Sequence, residues 1–277
     1  MRYSINLPNF GELADPRTVA ELAVAAEEAG WDGFFVWDHV NHGGFGGRPF
    51  GDPWILLAAA GMMTTRITLG PLITPVARRR PAKLARELTT LDTLTQGRLI
   101  FGVGLGAPVD DEFGSFGEPT DPKILGRRLD EGLAALSLLL SGKRVSYHGE
   151  HVTVNDVEML PARRIPVWVA GRWPNKAPFR RAARWDAAVP LFPNYRMQIP
   201  PTPDEVRDLA ALIAENRTAS GPFELVAGGR SGERGADVVG PLADAGATWW
   251  DERVPFDDTL DKADTYRRII EQGPPRI

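Results

Sequence analysis

Ala25-Ala26-Glu27-Glu28-Ala29-Gly30-Trp31-Asp32-Gly33-Phe34-Phe35-Val36-Trp37-Asp38-His39 holds the end of a helix, a turn, a buried strand and the polar residues at that strand's exit. The helix starts at Asp15-Pro16, and its apolar series Val19, Leu22, Ala23, Ala26 and Ala29 recurs at helical spacing. Gly30 stands where a C′ glycine closes a helix. Gly33 to Trp37 is continuously apolar rather than alternating, which suits a strand covered on both faces in a parallel sheet. Helix, glycine, strand, polar exit is the unit from which the remaining chain is read.

The same unit recurs in both directions. Strands are expected at Tyr3–Leu7, Gly33–Trp37, Ile67–Ile73, Leu99–Val103, Pro166–Ala170, Ala187–Leu191, Phe223–Ala227 and Ala247–Asp251. Helices are expected after Asp52-Pro53, over Pro81–Thr95, Ile124–Ser141 and Asn175–Trp185, and from Val206 to Asn216 behind the capping box Thr202-Pro203-Asp204-Glu205. Two more fall at Glu233–Ala245 and Thr259–Glu271. Strands each followed by a helix, in a chain of 277 residues, predict an α/β protein: one (β/α)8 TIM barrel spanning 1–277. An open, doubly wound sheet is the alternative, because strand order is not written in the pattern.

Composition narrows the function classes. With 32 Lys+Arg against 36 Asp+Glu the net charge is −4, which offers no general footprint for nucleic acid or an anionic membrane. The absence of cysteine excludes a disulfide framework, thiolate catalysis, Fe–S clusters and Cys-type zinc sites. Met1-Arg2 leads into no long apolar stretch, and the longest apolar run, Trp54 to Met63, is far too short to span a membrane. A cytoplasmic protein acting on a small molecule is expected.

Two stretches break the alternation. Ala107–Lys123 is a long polar loop laced with Gly and Pro after the fourth strand, and long loops in compact domains tend to be functional. Arg144–Glu158 reads as a small β-hairpin inserted before the fifth strand, turning at His148-Gly149-Glu150.

In a (β/α)8 barrel the active site lies at the C-terminal ends of the strands. Those exits are Asn6-Leu7-Pro8-Asn9, Trp37-Asp38-His39, Gly70 to Pro75, Gly102 to Gly106, Gly171-Arg172-Trp173, Pro190 to Arg196, Gly228-Gly229-Arg230-Ser231 and Asp251-Glu252-Arg253. Glycines, arginines and aromatics gather there, as a large planar anionic ligand requires. Gly171-Arg172 before one helix and Gly228-Gly229 before another have the makings of phosphate sites, since glycine lets backbone N–H groups approach an anion. Each is equally readable as a plain turn. Gly102-x-Gly104-x-Gly106 is not a dinucleotide fingerprint, because Pro108 and a loop follow it instead of a helix.

His39 is the only histidine at a strand end, with Asp38 beside it to set its tautomer, so it is the candidate acid or base. His39 and His42 lie three apart, as do His148 and His151, but no other strand exit adds a histidine, and no metal is expected. Gly114-Ser115-Phe116-Gly117 lacks the spacing of a nucleophile elbow. The run Asp110-Asp111-Glu112 reads as a solvated loop, and Arg78-Arg79-Arg80 as a local anion contact.

Together with Thr64-Thr65-Arg66-Ile67-Thr68-Leu69-Gly70, Thr95 to Gly106 and Ile165 to Gly171, the opening stretch resembles the luciferase-like monooxygenase superfamily of FMN- and coenzyme F420-dependent oxidoreductases. The likeness is close over about residues 1–190 and looser beyond. It implies a barrel binding F420 or FMN at its mouth, with His39 matching an active-site histidine of F420-using members. By the same resemblance Thr74 would face the ring, Gly104 and Gly106 would line its tail, and Gly171-Arg172 would take the phosphate. A non-proline cis peptide, frequent at the third strand's end in such proteins, would fall at Pro71–Leu72. Trp173, Phe192 and Tyr195 remain as substrate-contacting aromatics. Ala107 stands where the sugar-phosphate dehydrogenase branch has an acidic residue, which argues against that substrate. A homodimer is implied by analogy alone.

The resulting expectation is hydride transfer between a small organic substrate and F420 or FMN. An FMN monooxygenase using O2 is the near alternative, and a metal-dependent barrel hydrolase or a non-catalytic barrel the distant ones.

Overall fold

The computed structural model describes residues 1–277. Its strands are β1 (Arg2–Leu7), β2 (Gly33–Val36), β3 (Thr68–Pro71), β4 (Thr74–Pro75), β5 (Phe101–Gly104), β6 (Arg144–His148), β7 (Thr153–Glu158), β8 (Val167–Arg172), β9 (Ala187–Leu191), β10 (Glu224–Gly229) and β11 (Trp249–Glu252). The helices are α1 (Pro16–Glu28), α2 (Pro53–Met63), α3 (Pro81–Leu94), α4 (Val109–Glu112), α5 (Pro122–Leu139), α6 (Lys176–Ala182), α7 (Pro203–Asn216), α8 (Gly235–Asp244) and α9 (Ala263–Gln272). Proline at the first helical turn follows an Asp cap at Asp15, Asp52 and Asp121, and the Thr202–Glu205 capping box forms. No helix is long and apolar enough to cross a membrane.

All strands but β6 and β7 lie in one parallel sheet of order β3-β2-β1-β11-β10-β9-β8-β5-β4. The two ends of that order are consecutive in the chain. Leu69 N donates to Arg98 O (3.0 Å) and Ile100 N to Leu69 O (2.8 Å), which ties β3 to the approach into β5 and closes the sheet into a barrel. Closure excludes the open doubly wound alternative.

The third barrel strand is not the continuous Ile67–Ile73 expected. It breaks into β3 and β4, and the non-proline cis peptide lies at Leu72–Ile73, one residue beyond the expected Pro71–Leu72. Leu72 N still donates to Val36 O (2.8 Å), so pairing with β2 holds through that amide and the chain departs only afterwards. Thr74 then pairs with Val103 of β5. Ala107–Lys123 is likewise not structureless: it carries α4, a 3-10 turn at Gly114–Phe116 and the start of α5, pinned by the fully buried Phe113. β6 and β7 pair antiparallel between α5 and β8, and Glu131 of α5 accepts the turn's Glu150, His151 and Val152 N–H groups at 3.2, 2.7 and 3.0 Å.

Side chains alternate across each strand, and the two faces make two cores. Facing outward under the helices are Ile5, Phe34, Val36, Val103, Val169, Ala227 and Trp250, part of a cluster of 54 buried residues. Facing inward are Phe35, Leu72, Ile100, Trp168, Ala187, Val189, Val226 and Trp249, an apolar plug of eight residues. Trp168 and Trp249 meet edge to face at 5.0 Å, with Phe35 at 5.4 and 6.2 Å from them. The same alternation continued toward the strands' C-terminal ends gives the next inward residues: Asn6 on β1, Trp37 and His39 after Phe35, Asp251 and Arg253 after Trp249. The barrel is therefore dry below and polar above, and the polar layer is the mouth.

Glu27, at the end of α1, accepts the Thr65, Arg66 and Ile67 N–H groups at 3.0, 2.6 and 2.7 Å and so fixes the loop entering β3. Partial burial opposes its ionisation, but the N–H donors of Ile67, Arg66 and Thr65 outweigh it and hold the carboxyl below its ordinary value. We expect Glu27→Ala to lower the unfolding free energy in urea by about 1–3 kcal/mol. Because the folded pKa is depressed, this contribution is present above the ordinary carboxylate range and is lost as pH falls through the folded value. An unchanged urea midpoint at neutral pH would refute the assignment.

Candidate active site

His39 leaves β2 on the inward face, above Phe35 and Trp37. Its backbone is clamped by the buried Asn9, whose side chain accepts from His39 N (3.2 Å) and donates to His39 O (2.8 Å). Its Nδ1 lies 2.7 Å from Glu112 Oε1, while the ring is still 17% accessible. Glu112 is fully buried and is also paired with Arg78. A carboxylate held by a guanidinium is an acceptor, so His39 carries its proton on Nδ1, and Nε2 is left as an unshared lone pair in the mouth.

Asp38 does not orient His39. It sits on the outward face, where Arg78 reaches it at 2.6 Å and Arg79 at 2.8 Å. Period-two alternation separates the neighbours: His39 turns into the barrel and Asp38 away from it. The run Arg78-Arg79, read as an anion contact, thus has its anion within the chain. Two arginines and two carboxylates balance in this network, so a neutral His39 leaves it uncharged. Burial lowers the His39 pKa and Arg78 reinforces this, against the pull of Asp38 and Asp111.

The remaining expected residues divide. Pro71 and Leu72 flank the strand break, with Leu72 in the inner plug, and Thr74 is fully buried with no hydrogen-bond partner for Oγ1. Gly104 packs under Ile73 and Ala170 near the mouth, and Gly106 takes φ +87 against Pro75 and Phe113. Gly171 is seated against Pro178 of α6, while Arg172 is exposed with its guanidinium 5.6 Å from the Tyr195 ring. Gly228 lies under the Arg253 side chain and Gly229 against the Pro200 backbone, so close packing within the chain already accounts for both glycines. Trp173 packs on Phe179, 5.8 Å away. Phe192 corrects the expectation: it follows directly on β9 and is 4% exposed in the main core, not an open contact at the mouth. Tyr195 is at the mouth, in a chain of rings running to Phe256 (6.3 Å), Trp37 (5.6 Å) and His39 (5.6 Å).

Over residues 1–231 the sequence matches the family model described as luciferase-like monooxygenase. The chain belongs to the luciferase-like monooxygenase family. It is 36% identical over 167 residues to an F420-dependent glucose-6-phosphate dehydrogenase of Intrasporangium calvum, a match covering 57% of this chain and 49% of that protein. The chain thus spans about half the length of the curated relatives it matches. Among solved structures, an F420-dependent tetrahydromethanopterin reductase from Methanopyrus kandleri superposes with TM-score 0.75 at 17% identity, covering 98% of both chains. The oxygenating constituent of the 3,6-diketocamphane monooxygenase of Pseudomonas putida, in complex with FMN, gives 0.70 at 15%, covering 98% and 96%. At those identities the likeness is one of fold.

Within this luciferase-like barrel the mouth differs from the other concavities. A cleft of about 570 Å³ opens between Leu136, Ile165 and Trp185 near the strands' starts, but its arginines are spoken for: Arg163 by Asp92 (3.1 Å), Arg164 by Asp186, Arg184 by Asp130 (2.8 Å). Glu131, Glu150 and His151 are the one group close enough to share an ion, and they lie on the hairpin and α5, not at the strand exits. Asn6 Oδ1, Thr74 Oγ1 and Gln198 Oε1, from segments at the strand exits, are among eleven buried side-chain polar atoms with no partner in the chain. Buried polar atoms are rarely left so, and a polar planar group bound there would satisfy them.

Glu112, Arg78 and Asn9 were missed as site residues. Glu112 had a signal: Val109, Glu112 and Phe113 fall at i, i+3 and i+4, one face of a helical turn, whereas Asp110 and Asp111 do not. Glu112→Ala should cost about 1.5–3 kcal/mol by chemical denaturation, because it removes one of the two carboxylates on Arg78, which keeps Asp38, and leaves His39 Nδ1 without its acceptor. Glu112→Gln should keep most of that stability, yet lose the fixed His39 tautomer, seen by nitrogen NMR of the imidazole. An imidazole spectrum identical to wild type would remove Glu112 from this role.

Proposed function

We propose that this chain is an oxidoreductase that binds coenzyme F420, or FMN, at the barrel mouth and passes a hydride between it and a small organic substrate. The observation that carries the reading is His39: neutral, tautomer-fixed, and open to the mouth through Nε2 alone. When bound, the ring supplies or takes the hydride. Nε2 takes the proton from a substrate hydroxyl as a carbonyl forms, and returns it in the reverse direction. The Glu112 carboxylate steadies the imidazolium meanwhile. Asn6, Thr74 and Gln198 would hold the ring's polar edge, Gly104 and Gly106 would let its tail lie along β5, and Arg172 would meet the phosphate. The 36% identity to an F420-dependent relative over 57% of the chain favours F420. The FMN-binding neighbour shares the fold and keeps an FMN monooxygenase as the second reading.

Titration with F420 and with FMN, followed by absorbance and fluorescence, tests this directly. Saturable binding of one at micromolar concentration is expected, and binding of neither would sink the proposal. His39→Ala should keep cofactor affinity and lower turnover by about 10²- to 10⁴-fold. Turnover equal to wild type would remove His39 from the mechanism. Activity should also decline as acid protonates Nε2, below the ordinary histidine range because the pKa is lowered.

We also propose a homodimer through α2. This helix is apolar all round, and Ile55, Met62 and Met63 are 60%, 68% and 64% exposed on its outer side, with Ala58 and Ala59 half-buried between them. A patch without charge is matched by its own copy across a two-fold axis. Light scattering should give twice the chain mass for the wild type and the monomer mass for Ile55→Glu/Met62→Glu. A monomeric wild type would overturn it.

A further inference from the structure

Arg253 is an inward residue one layer above the apolar plug, on the strand beside β1. Its Nε donates to Asp251 Oδ2 at 2.8 Å, and Asp251 is fully buried and held by Ser4 Oγ (3.0 Å) and Asn6 Nδ2 (3.4 Å). Its backbone N donates to Gly229 O (2.9 Å). The two terminal nitrogens bond to nothing in the chain, although the side chain is only 11% accessible. The neighbouring carboxylate is committed elsewhere: Glu252 accepts from Trp250 Nε1 (2.7 Å) and Ser231 N (3.0 Å). The guanidinium lies flat on Gly228, where a Cβ would come within 2.6 Å of its central carbon. Residue 228 must therefore be glycine for the fork to stay where it is.

A planar fork of N–H donors, anchored at Nε and free at the tip, fits an oxyanion in two parallel bonds. The chain has placed it on the same face of the barrel as His39. We propose that Arg253 is the substrate-anchoring residue of the site and that the substrate class is a carboxylate-bearing small molecule, an assignment that rests on the oxidoreductase reading above. Arg253 and Asp251 are neutral as a pair, so a monoanionic carboxylate is matched better than a dianionic phosphate ester. Trp37 and Phe256, stacked at 5.6 Å, offer an aromatic wall for the substrate's carbon frame.

The test is calorimetric titration of the whole chain with benzoate and, separately, with inorganic phosphate, in the presence and absence of the cofactor it binds. Benzoate should bind wild type, and more tightly than phosphate. Arg253→Met should weaken benzoate by about 10- to 100-fold while cofactor affinity is unchanged. Arg253→Lys keeps the charge beside Asp251 but not the fork, and should show a similar loss should the methionine variant fail to fold. No benzoate binding to wild type, or equal binding in the variants, overturns the proposal. So does loss of cofactor instead of benzoate, which would assign Arg253 to the cofactor, or tighter binding of phosphate. Benzoate binding that depends on Arg253 in a protein binding neither F420 nor FMN would uphold the anchor while removing the oxidoreductase reading.

Discussion

Closure of a parallel sheet obliges every strand residue to face either the barrel interior or the helices, and the site follows from that two-valued choice. Along β2 and the residues that follow it, this sends Phe35, Trp37 and His39 inward and Val36 and Asp38 outward. Along β11 and the residue that follows it, this sends Trp249, Asp251 and Arg253 inward while Trp250 and Glu252 face away. The inward residues change from apolar to polar along the strand direction, so the plug of tryptophans and Phe35 becomes the dry floor of a polar mouth. Chemistry and packing are thus consecutive layers of the same strands.

The charge network around His39 sits across this boundary. Asp38, Arg78, Arg79 and Glu112 come from three separate segments and are nearly inaccessible, with side-chain exposures of 1%, 11%, 17% and 0%. Burying unpaired charges is costly, and here each is paired and hydrogen-bonded. The network joins the exit of β2, the turn after β4 and α4. That is why the segment after β5, polar in composition, is ordered: Glu112 and Phe113 are anchored side by side, one by charge and one by apolar packing.

Local signals along the chain were sufficient for most elements, though not for α4 or for the break of the third strand into β3 and β4. Caps at Asp15, Asp52 and Thr202, helical spacing in Val19 to Ala29, and continuously apolar runs such as Gly33–Val36 each act within a few residues. The strand exits, and His39 among them, were legible for the same reason. Boundaries shifted where pairing between strands decided them. Hydrogen bonding to Val36 carries the third strand through Leu72, and no feature of Pro71-Leu72-Ile73 announces that.

What the sequence by itself determined is the succession of helices and strands, the barrel it implies and the short set of residues at the strand exits. Those depend on propensity, capping and periodicity, which are local. Tertiary structure alone decided the partners: that Glu112, not Asp38, holds His39; that Phe192 is sealed in the outer core; that Arg253 lies over Gly228 with its fork free. Partnership between charges distant in the chain depends on which face of a closed sheet each residue takes and on what the neighbouring strand brings beside it. That information exists only once the barrel has closed.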